Sequence, residues 1–522
     1  MPTIRPSLDE FVELAADRRV ITVAARVMAD ADTPISLFRH LCGDRPGTFL
    51  LESVEAGVTA RFSFIGVDTV ATLTTRDGQA AWTGKHLADL PGAASGDSDL
   101  PRAESGDSDL PRAESGDPLE VFARTLELLE SDPSYLADAD LPPLTSGFVG
   151  YLGYDIVRRL ERLPDTCEDD LDVPEMAMML IGDLVVMDHH TGAIWVLANA
   201  INHDNRPERV HGAYADAVAR IEAMIDRLGE PREAAVTTTP AEVAEVEPVR
   251  QRTPEQFHAM VRDAVAQVHA GEAFQIVVSQ RFDMPHVDGF ALYRRLRRLN
   301  PSPYQFLLRC EGFDIVGSSP EALITVRDGH ATTHPIAGSR PRGATAEQDR
   351  ALEDELVADE KERSEHVMLV DLQRNDLARV CEPGSVRVLD MLHVVRYSHI
   401  MHLEATVVGK LAADAGALDA TLACFPAGTL SGAPKVSAMA HIDRLEATRR
   451  GVYGGVVGWF NLAGDSDCAI AIRSALVKPD AVHIQAGAGI VADSDPEAED
   501  LECRNKAAAV ITAVNQARAW GA

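Results

Sequence analysis

Short runs rich in Val, Ile, Leu and Phe recur along this chain, separated by stretches with helical spacing but with no repeating strand–helix–strand rhythm. The runs include GTFLLES, ARFSFIGV, AIWVLAN, FQIVVSQRF, YQFLLRC, FDIVGS, AIAIRSALV and VHIQAGAGIV. A parallel sheet needs a crossover of a dozen or more residues, usually a helix, between successive strands, so irregular alternation points elsewhere. It predicts an α+β chain with largely antiparallel sheets. Two helices are legible between the runs. Asn205–Leu228 carries Val210, Tyr214, Val218, Ile221 and Ile225 at helical spacing. Thr253-Pro254-Glu255-Gln256 is a capping box with proline in the first turn, followed by the stripe Phe257, Val261, Ala264, Val265 and Val268.

Two polar segments divide the chain. Residues 93–120 hold a near-perfect tandem repeat, SGDSDLPRAE, and a third, truncated start, SGDP. Such a segment cannot bury enough apolar surface to offset its ordering entropy, which predicts a disordered surface loop. Residues 229–252 form a linker between an N-terminal part, 1–228, and a C-terminal part, 253–518. With 522 residues, 46% of them apolar, the chain can bury a large core. Its formal charge of −32 repels a phosphate backbone, so nucleic acid is not an expected partner. Seven cysteines without a CxxC pair read as reduced thiols of the cytoplasm, and MPTIRPSLDEF has no apolar signal core. The longest apolar run, MAMMLIGDLVVM, is too short to span a bilayer and is interrupted by Asp183, so no membrane association is expected.

Chemistry concentrates in the glycine-rich C-terminal part. Glu362 and Glu365 stand at i, i+3 on one predicted helix, and Glu499 and Glu502 repeat the spacing near the C-terminus. Two facing pairs of carboxylates supply hard oxygen ligands suited to magnesium, which also takes a substrate oxyanion. Arg340 and Arg342, in PIAGSRPRG, are placed to hold the rest of an anionic substrate. GTLSGAPK is not a phosphate loop, because its second glycine and its lysine are not adjacent. GAGIVA matches a dinucleotide fingerprint in letters only, since Asp493-Ser494-Asp495-Pro496 follows where a helix should run. Both turns suit a carboxylate approaching backbone N–H groups. Arg473, between AIAI and SALV, is a buried cation in need of an anion, whereas His402 reads equally as a satisfied histidine on a half-buried strand.

Taken in order, SPE (319–321), PIAGSRPRG, ERSEH (362–366), LVDLQRNDLAR, MHL (401–403), GTLSGAPK, YGGVVG, IRSALV, AGAGIV and ExxECRNKA (499–507) resemble the motifs of the chorismate-utilising enzymes, and among them the large subunits of anthranilate synthase. The resemblance implies two β-sheets forming a sandwich with helices outside, and an active site in the C-terminal part. It implies chorismate as substrate and magnesium as cofactor, with Glu365 and Glu502 as direct ligands and Glu362 and Glu499 beside them. It places Glu321 as the acid toward the departing hydroxyl and His402 at the ring and the later loss of pyruvate. Tyr453, Arg473 and the backbone of Gly487, Ala488 and Gly489 resemble the cradle of the enolpyruvyl carboxylate, and Gly338, Ser339 and Thr429 the turns that contact the ring. Ser339 stands where threonine is more usual, which keeps the hydroxyl.

The same resemblance bears on nucleophile and control. Relatives that add water place a lysine where Gln275 stands, and relatives that make aminodeoxychorismate commonly carry one where Ala337 stands. Neither residue can act as those lysines do. Ammonia is therefore the expected nucleophile and anthranilate the product, with an aminodeoxychorismate synthase as the alternative. No cysteine nucleophile of a glutaminase is apparent, so ammonia is expected from a separate amidotransferase subunit. FLLES and NPSPYQF resemble the family's regulatory segments, placing Ser53 and the Pro303–Tyr304–Gln305 backbone at a site for inhibitory tryptophan.

Overall fold

The computed structural model describes residues 2–28, 30–53, 61–84, 112–113, 116–136, 138, 140–202, 206–231, 243–396 and 400–519. Its strands build two antiparallel sheets. The first runs Val20–Met28, Ala193–Ile201, Met176–Asp188, Phe62–Arg76, Thr48–Glu52, Tyr304–Cys310, Phe313–Ser319, Ser474–Val477, Ala481–Ile490 and Gln275–Pro285. The second runs Gln79–Thr83, Phe62–Arg76, Met176–Asp188, Gly147–Leu152, Val456–Asn461, Ser466–Ile470, Ala322–Arg327, His330–Thr333 and Ile400–Lys410. Ile336–Pro341 and Arg387–Arg396 pair with the last of these.

Phe62–Arg76 and Met176–Asp188 belong to both sheets. Their shared ladder breaks register between Gly66 and Ala71, and such bulges let strands bend from one sheet into the other. The bend can be read in the packing. Met179 and Ile181 point into the core between the sheets, and beyond Gly182–Asp183 the inward residues become Leu184 and Val186. The opposite face of the same strand meets two further cores, through Met178 and Leu180 at one end and Val185 at the other. Burial on both faces explains why MAMMLIGDLVVM is apolar almost throughout. Asp183 is tolerated there because Arg220, on the helix Val210–Leu228, pairs with it.

The core between the sheets joins Phe49, Phe306 and Leu476 of the first to Val149, Tyr151 and Trp459 of the second. Outside the first sheet, Pro34–Cys42, Val210–Leu228, Gly289–Leu299 and Pro496–Arg518 bury Phe38, Ile221, Tyr293 and Val514. Outside the second, Pro118–Leu128 and Ala417–Cys424 bury Phe122 and Leu418. Phe122 stands edge-on to Phe148 and Phe460 at centroid distances of 5.2 and 5.5 Å. Its removal from water contributes about 1.5–3 kcal/mol. The α+β sandwich expected from the sequence is the observed fold.

Several boundaries differ from the sequence reading. The expected loop 93–120 ends early: Asp117 caps Pro118–Leu128 by accepting from Leu119 N at 2.9 Å, and Arg112–Ala113 pairs with Gln79–Thr83. Residues 85–111 and 114–115 of that region lie outside the described residues. In the linker, 232–242 also lies outside them, but Val249–Arg250 pairs with Phe282 and Asp283, and Val246 N donates to Asn515 Oδ1 at 3.1 Å. The helix expected from Asn205 starts at Val210, after a short turn at Pro207–Arg209. AIAIRSALV is two strands, Ser466–Ile470 and Ser474–Val477, because Arg473 between them has φ 50°. The parts on either side of the linker share both sheets, through Thr48–Glu52 beside Tyr304–Cys310 and Gly147–Leu152 beside Val456–Asn461. Among the described residues no helix is long and apolar enough to cross a membrane.

Candidate active site

Two helix N-termini carry the carboxylate pairs. Asp359 caps Glu360–Ala378 through Lys361 N and Glu362 N, and Asp495 caps Pro496–Arg518 through Glu497 N and Ala498 N. Both pairs therefore stand in first turns or just beyond, where the helix dipole favours negative charge. Burial, then Glu365 and Asp359, push the Glu362 carboxyl up, against the pull of Arg340. Burial also pushes Glu499 up, with Glu502 adding to the shift and Ser494, Lys361 and Lys506 opposing it. Glu365 Oε1 accepts from Gln275 Nε2 at 3.2 Å, and Glu502 Oε1 meets Lys506 Nζ at 2.6 Å. These oxygens suit magnesium by chemistry, and the raised pKa values of Glu362 and Glu499 are those of carboxylates short of positive charge. Among the described residues, however, no three His, Cys, Asp or Glu side chains stand close enough together to form a ready-made cation site.

Arg340 and Arg342 are not held out for a substrate. Arg340 binds Glu355 at 2.8 Å, Asp359 at 2.8 Å and Glu362 at 3.5 Å, and Arg342 binds Asp349 at 2.8 Å. The carboxylates that claim them lie on the two helices following the turn, a competition that the motif alone does not reveal.

Gly338 interrupts the ladder between Ile336–Pro341 and Ile400–Lys410, with φ 63°. A Cβ there would lie 2.9 Å from Glu362 Oε2, so only glycine allows the helix this close. The Gly338 carbonyl accepts from His402 Nδ1 at 3.0 Å, which makes Nε2 the proton-accepting nitrogen of that ring. Burial holds the His402 pKa below the usual histidine range. Ser339, opposite His402 in the ladder, is exposed.

Glu321 lies between Phe313–Ser319 and Ala322–Arg327, its backbone fixed by Ser319 Oγ at 3.3 Å and Ile470 N at 3.0 Å. Burial pushes its carboxyl up to about 7, against the Thr429 hydroxyl, which donates to Oε1 at 3.1 Å, and against Lys506. Thr429 sits in the single helical turn Gly428–Ser431 that GTLSGAPK forms. A carboxyl poised near neutrality is a group able to give a proton.

The strand Ala481–Ile490 forms another wall. A Cβ at Gly487 would meet Tyr453 Oη at 2.9 Å, and one at Gly489 would meet Gln275 Nε2 at 2.6 Å. Ala488, between them, buries its methyl in the core with Ile276 and Phe257 and pairs with Val278 in the ladder. GAGIVA is thus a strand, not a nucleotide loop. Burial pushes the Tyr453 hydroxyl well up and the Arg473 guanidinium down, and Arg473 Nη1 donates to Lys506 O at 2.9 Å. Lys506 Nζ reaches Gly487 O at 3.0 Å, tying this wall to Glu502. Lys506 went unread in the sequence, although its place four residues after Glu502 on a helix was a usable signal. Arg450 also went unread. Its buried guanidinium donates to Leu430 O at 2.6 Å and Val277 O at 2.7 Å, pinning the turn of Thr429 to the strand of Gln275.

A separate cavity of about 100 Å³ lies between the sheets and is lined by Ser53, Pro303, Tyr304 and Gln305. Phe62, Phe64 and Trp459 supply apolar walls, and Asp467 a carboxylate. Glu52, beside it, is buried and held by Tyr293 Oη at 2.6 Å and Arg297 Nε at 2.8 Å.

Comparison with known proteins gives the family. Residues 78–512 match the family model described as chorismate binding enzyme. Anthranilate synthase component 1 of Mycolicibacterium smegmatis is 51% identical over 97% of this chain and 93% of its own length. That of Mycobacterium tuberculosis H37Rv is 50% identical over 99% and 97%. The crystal structure of anthranilate synthase component I from Streptococcus pneumoniae TIGR4 superposes with TM-score 0.72 at 30% identity, covering 93% of this chain and 99% of that one. The menaquinone-specific isochorismate synthase MenF of Escherichia coli, at 18% identity and TM-score 0.66, shares the fold. The chain belongs to the chorismate-binding enzyme family, among the anthranilate synthase component 1 proteins.

Proposed function

We propose that this chain converts chorismate and ammonia to anthranilate and pyruvate, as a magnesium-dependent lyase of the cytoplasm. The observation that carries the choice of nucleophile is Gln275. Its amide spans Glu365 and Gly489, at the position where water-adding relatives place a lysine base, and an amide cannot take a proton from water. Ala337 is buried and offers no amine.

The residues divide the work. Arg473 and the Gly487–Gly489 backbone would hold the enolpyruvyl carboxylate, and Thr429 the ring. As the ammonia lone pair forms the new C–N bond, the ring double bonds shift and the C–O bond to the hydroxyl breaks. Glu321 supplies the proton that lets this oxygen leave as water. In the second stage His402 Nε2 takes the ring proton beside the new C–N bond, the ring becomes aromatic and the enolpyruvyl C–O bond breaks. The released enolate takes at its methylene carbon the proton that His402 removed and becomes pyruvate. Glu365 and Glu502, with Glu362 and Glu499 beside them, are the residues that would hold magnesium; bound there, the ion would supply positive charge to the ring carboxylate. For Glu502 this means exchanging Lys506 for the metal.

At neutral pH most ammonia is non-nucleophilic ammonium, which supports a separate glutamine amidotransferase subunit as the source. The cavity at Ser53 and Pro303–Gln305 supports tryptophan as an inhibitor, its ammonium and carboxylate at those residues and its ring against Phe62, Phe64 and Trp459. The test is anthranilate fluorescence from the purified chain with chorismate and magnesium. Ammonium should support it and glutamine should not; glutamine-dependent activity without a partner would contradict the reading.

A further inference from the structure

Two residues that line the cavity beside Ser53 carry a buried side-chain oxygen without a hydrogen-bond partner among the described residues: Gln305 Oε1, at the Ser53 end, and Asp467 Oδ1. Asp467, on Ser466–Ile470, lines the wall away from Ser53 together with Val457, Trp459 and Ala469. Arg327 Nη2 donates to Oδ2 at 3.4 Å and the Tyr304 hydroxyl hydrogen-bonds the carboxylate, while Oδ1 is buried with no close donor among the described residues. A buried acceptor left without a donor is costly and uncommon, and one that borders a cavity is satisfied by whatever fills it. Burial pushes the carboxyl up, against Arg327, Tyr304 and His334.

Position fixes which donor fits. The polar end of an amino acid belongs at Ser53 and the Pro303–Gln305 backbone. Tyr304 measures the span from there: its backbone pairs with Ser319 in the strand, and its side chain extends to Asp467. One tyrosine side chain therefore separates the two ends. A tryptophan held by its ammonium and carboxylate carries its indole N–H across much of the same span, into a wall otherwise apolar. We propose that Asp467 selects tryptophan by accepting the indole N–H at Oδ1. The inference rests on the reading of this cavity as a tryptophan site, and it adds the residue that distinguishes indole from other rings. A site built to pair one N–H discriminates strongly against a ligand lacking it, because the buried acceptor is then left bare.

Isothermal calorimetry on the full chain tests this with tryptophan and 3-(3-benzothienyl)alanine, which has the same ring shape with sulfur in place of N–H. The unmodified protein should prefer tryptophan by on the order of tenfold or more, the worth of a hydrogen bond to a charged acceptor. Asp467→Ala should lose that preference. The first comparison needs no substitution, so it stands even if the variant folds poorly. Equal binding of the two ligands by the unmodified protein overturns the role of Asp467 alone, as does a preference that survives in Asp467→Ala. No binding of tryptophan at all overturns the cavity's assignment and this inference together.

Discussion

Replacing Thr429 with valine removes one hydroxyl from the site and makes a signed prediction about acidity. The Glu321 carboxyl is raised from 4.5 to about 7 by burial. At pH 7 this increases its protonated fraction on the order of a hundredfold over an ordinary glutamate. The Thr429 hydroxyl works the other way, donating to Oε1 at 3.1 Å and so favouring the carboxylate. A hydrogen bond to a charged group is worth about 1.5 kcal/mol or more, which corresponds to about one pH unit. Glu321 must be protonated to give up its proton, so kcat is full below its pKa and declines as pH rises through it. Thr429→Val should move that declining limb upward by about one unit while keeping the side-chain volume. The assay is kcat for anthranilate against pH at saturating chorismate. Free ammonia, rather than total ammonium, must be held constant, because deprotonation of ammonium otherwise imposes its own rise. Glu321→Gln should abolish the limb and lower kcat about a hundredfold to ten-thousandfold. A limb that stays in place in Thr429→Val, or moves to lower pH, would refute the role given to Glu321.

Three further outcomes follow from the geometry. Glu365→Ala and Glu502→Ala should each abolish turnover and weaken magnesium binding while thermal unfolding stays near that of the unmodified chain; normal turnover in magnesium-limited buffer would reduce the pairs to surface charge. Ser53→Phe should crowd the regulatory cavity and leave an active enzyme insensitive to millimolar tryptophan, measured with the amidotransferase partner present; retained inhibition would move the site elsewhere. Arg450→Met should destabilise the fold by about 3–5 kcal/mol in denaturant unfolding, because it strands the buried Glu446 carboxylate that Arg450 holds at 2.7 Å; a loss below about 1 kcal/mol would show that Glu446 finds another donor.

What the sequence disclosed was mostly local. The capping box at Thr253 is present, with Phe257, Val261 and Ala264 buried beneath it, because caps and apolar stripes depend on neighbours a turn away. Strands such as Tyr304–Cys310 and Ala481–Ile490 were visible for the same reason. The bend of Met176–Asp188 through two sheets was not, since it depends on three separate cores meeting one strand. Arg340 illustrates the limit at the site. Its position in the motif suggested a substrate anion, while its actual partners arrive from a helix–helix junction up to 22 residues later. Gln275 and Glu365 are 90 residues apart and meet only because a strand end faces a helix N-terminus. Asp467 gave no signal of its own, and only the cavity shows that one of its oxygens lacks a donor.

The central claim is that ammonia, not water, attacks the ring, and isotopes test it most directly. The purified chain would turn over chorismate with magnesium and nitrogen-15 ammonium in oxygen-18 water, with products identified by mass spectrometry. The account predicts anthranilate carrying the heavy nitrogen, alongside pyruvate, with no ring oxygen from solvent. Isochorismate or salicylate carrying heavy oxygen on the ring would contradict it, as would aminodeoxychorismate as the main product.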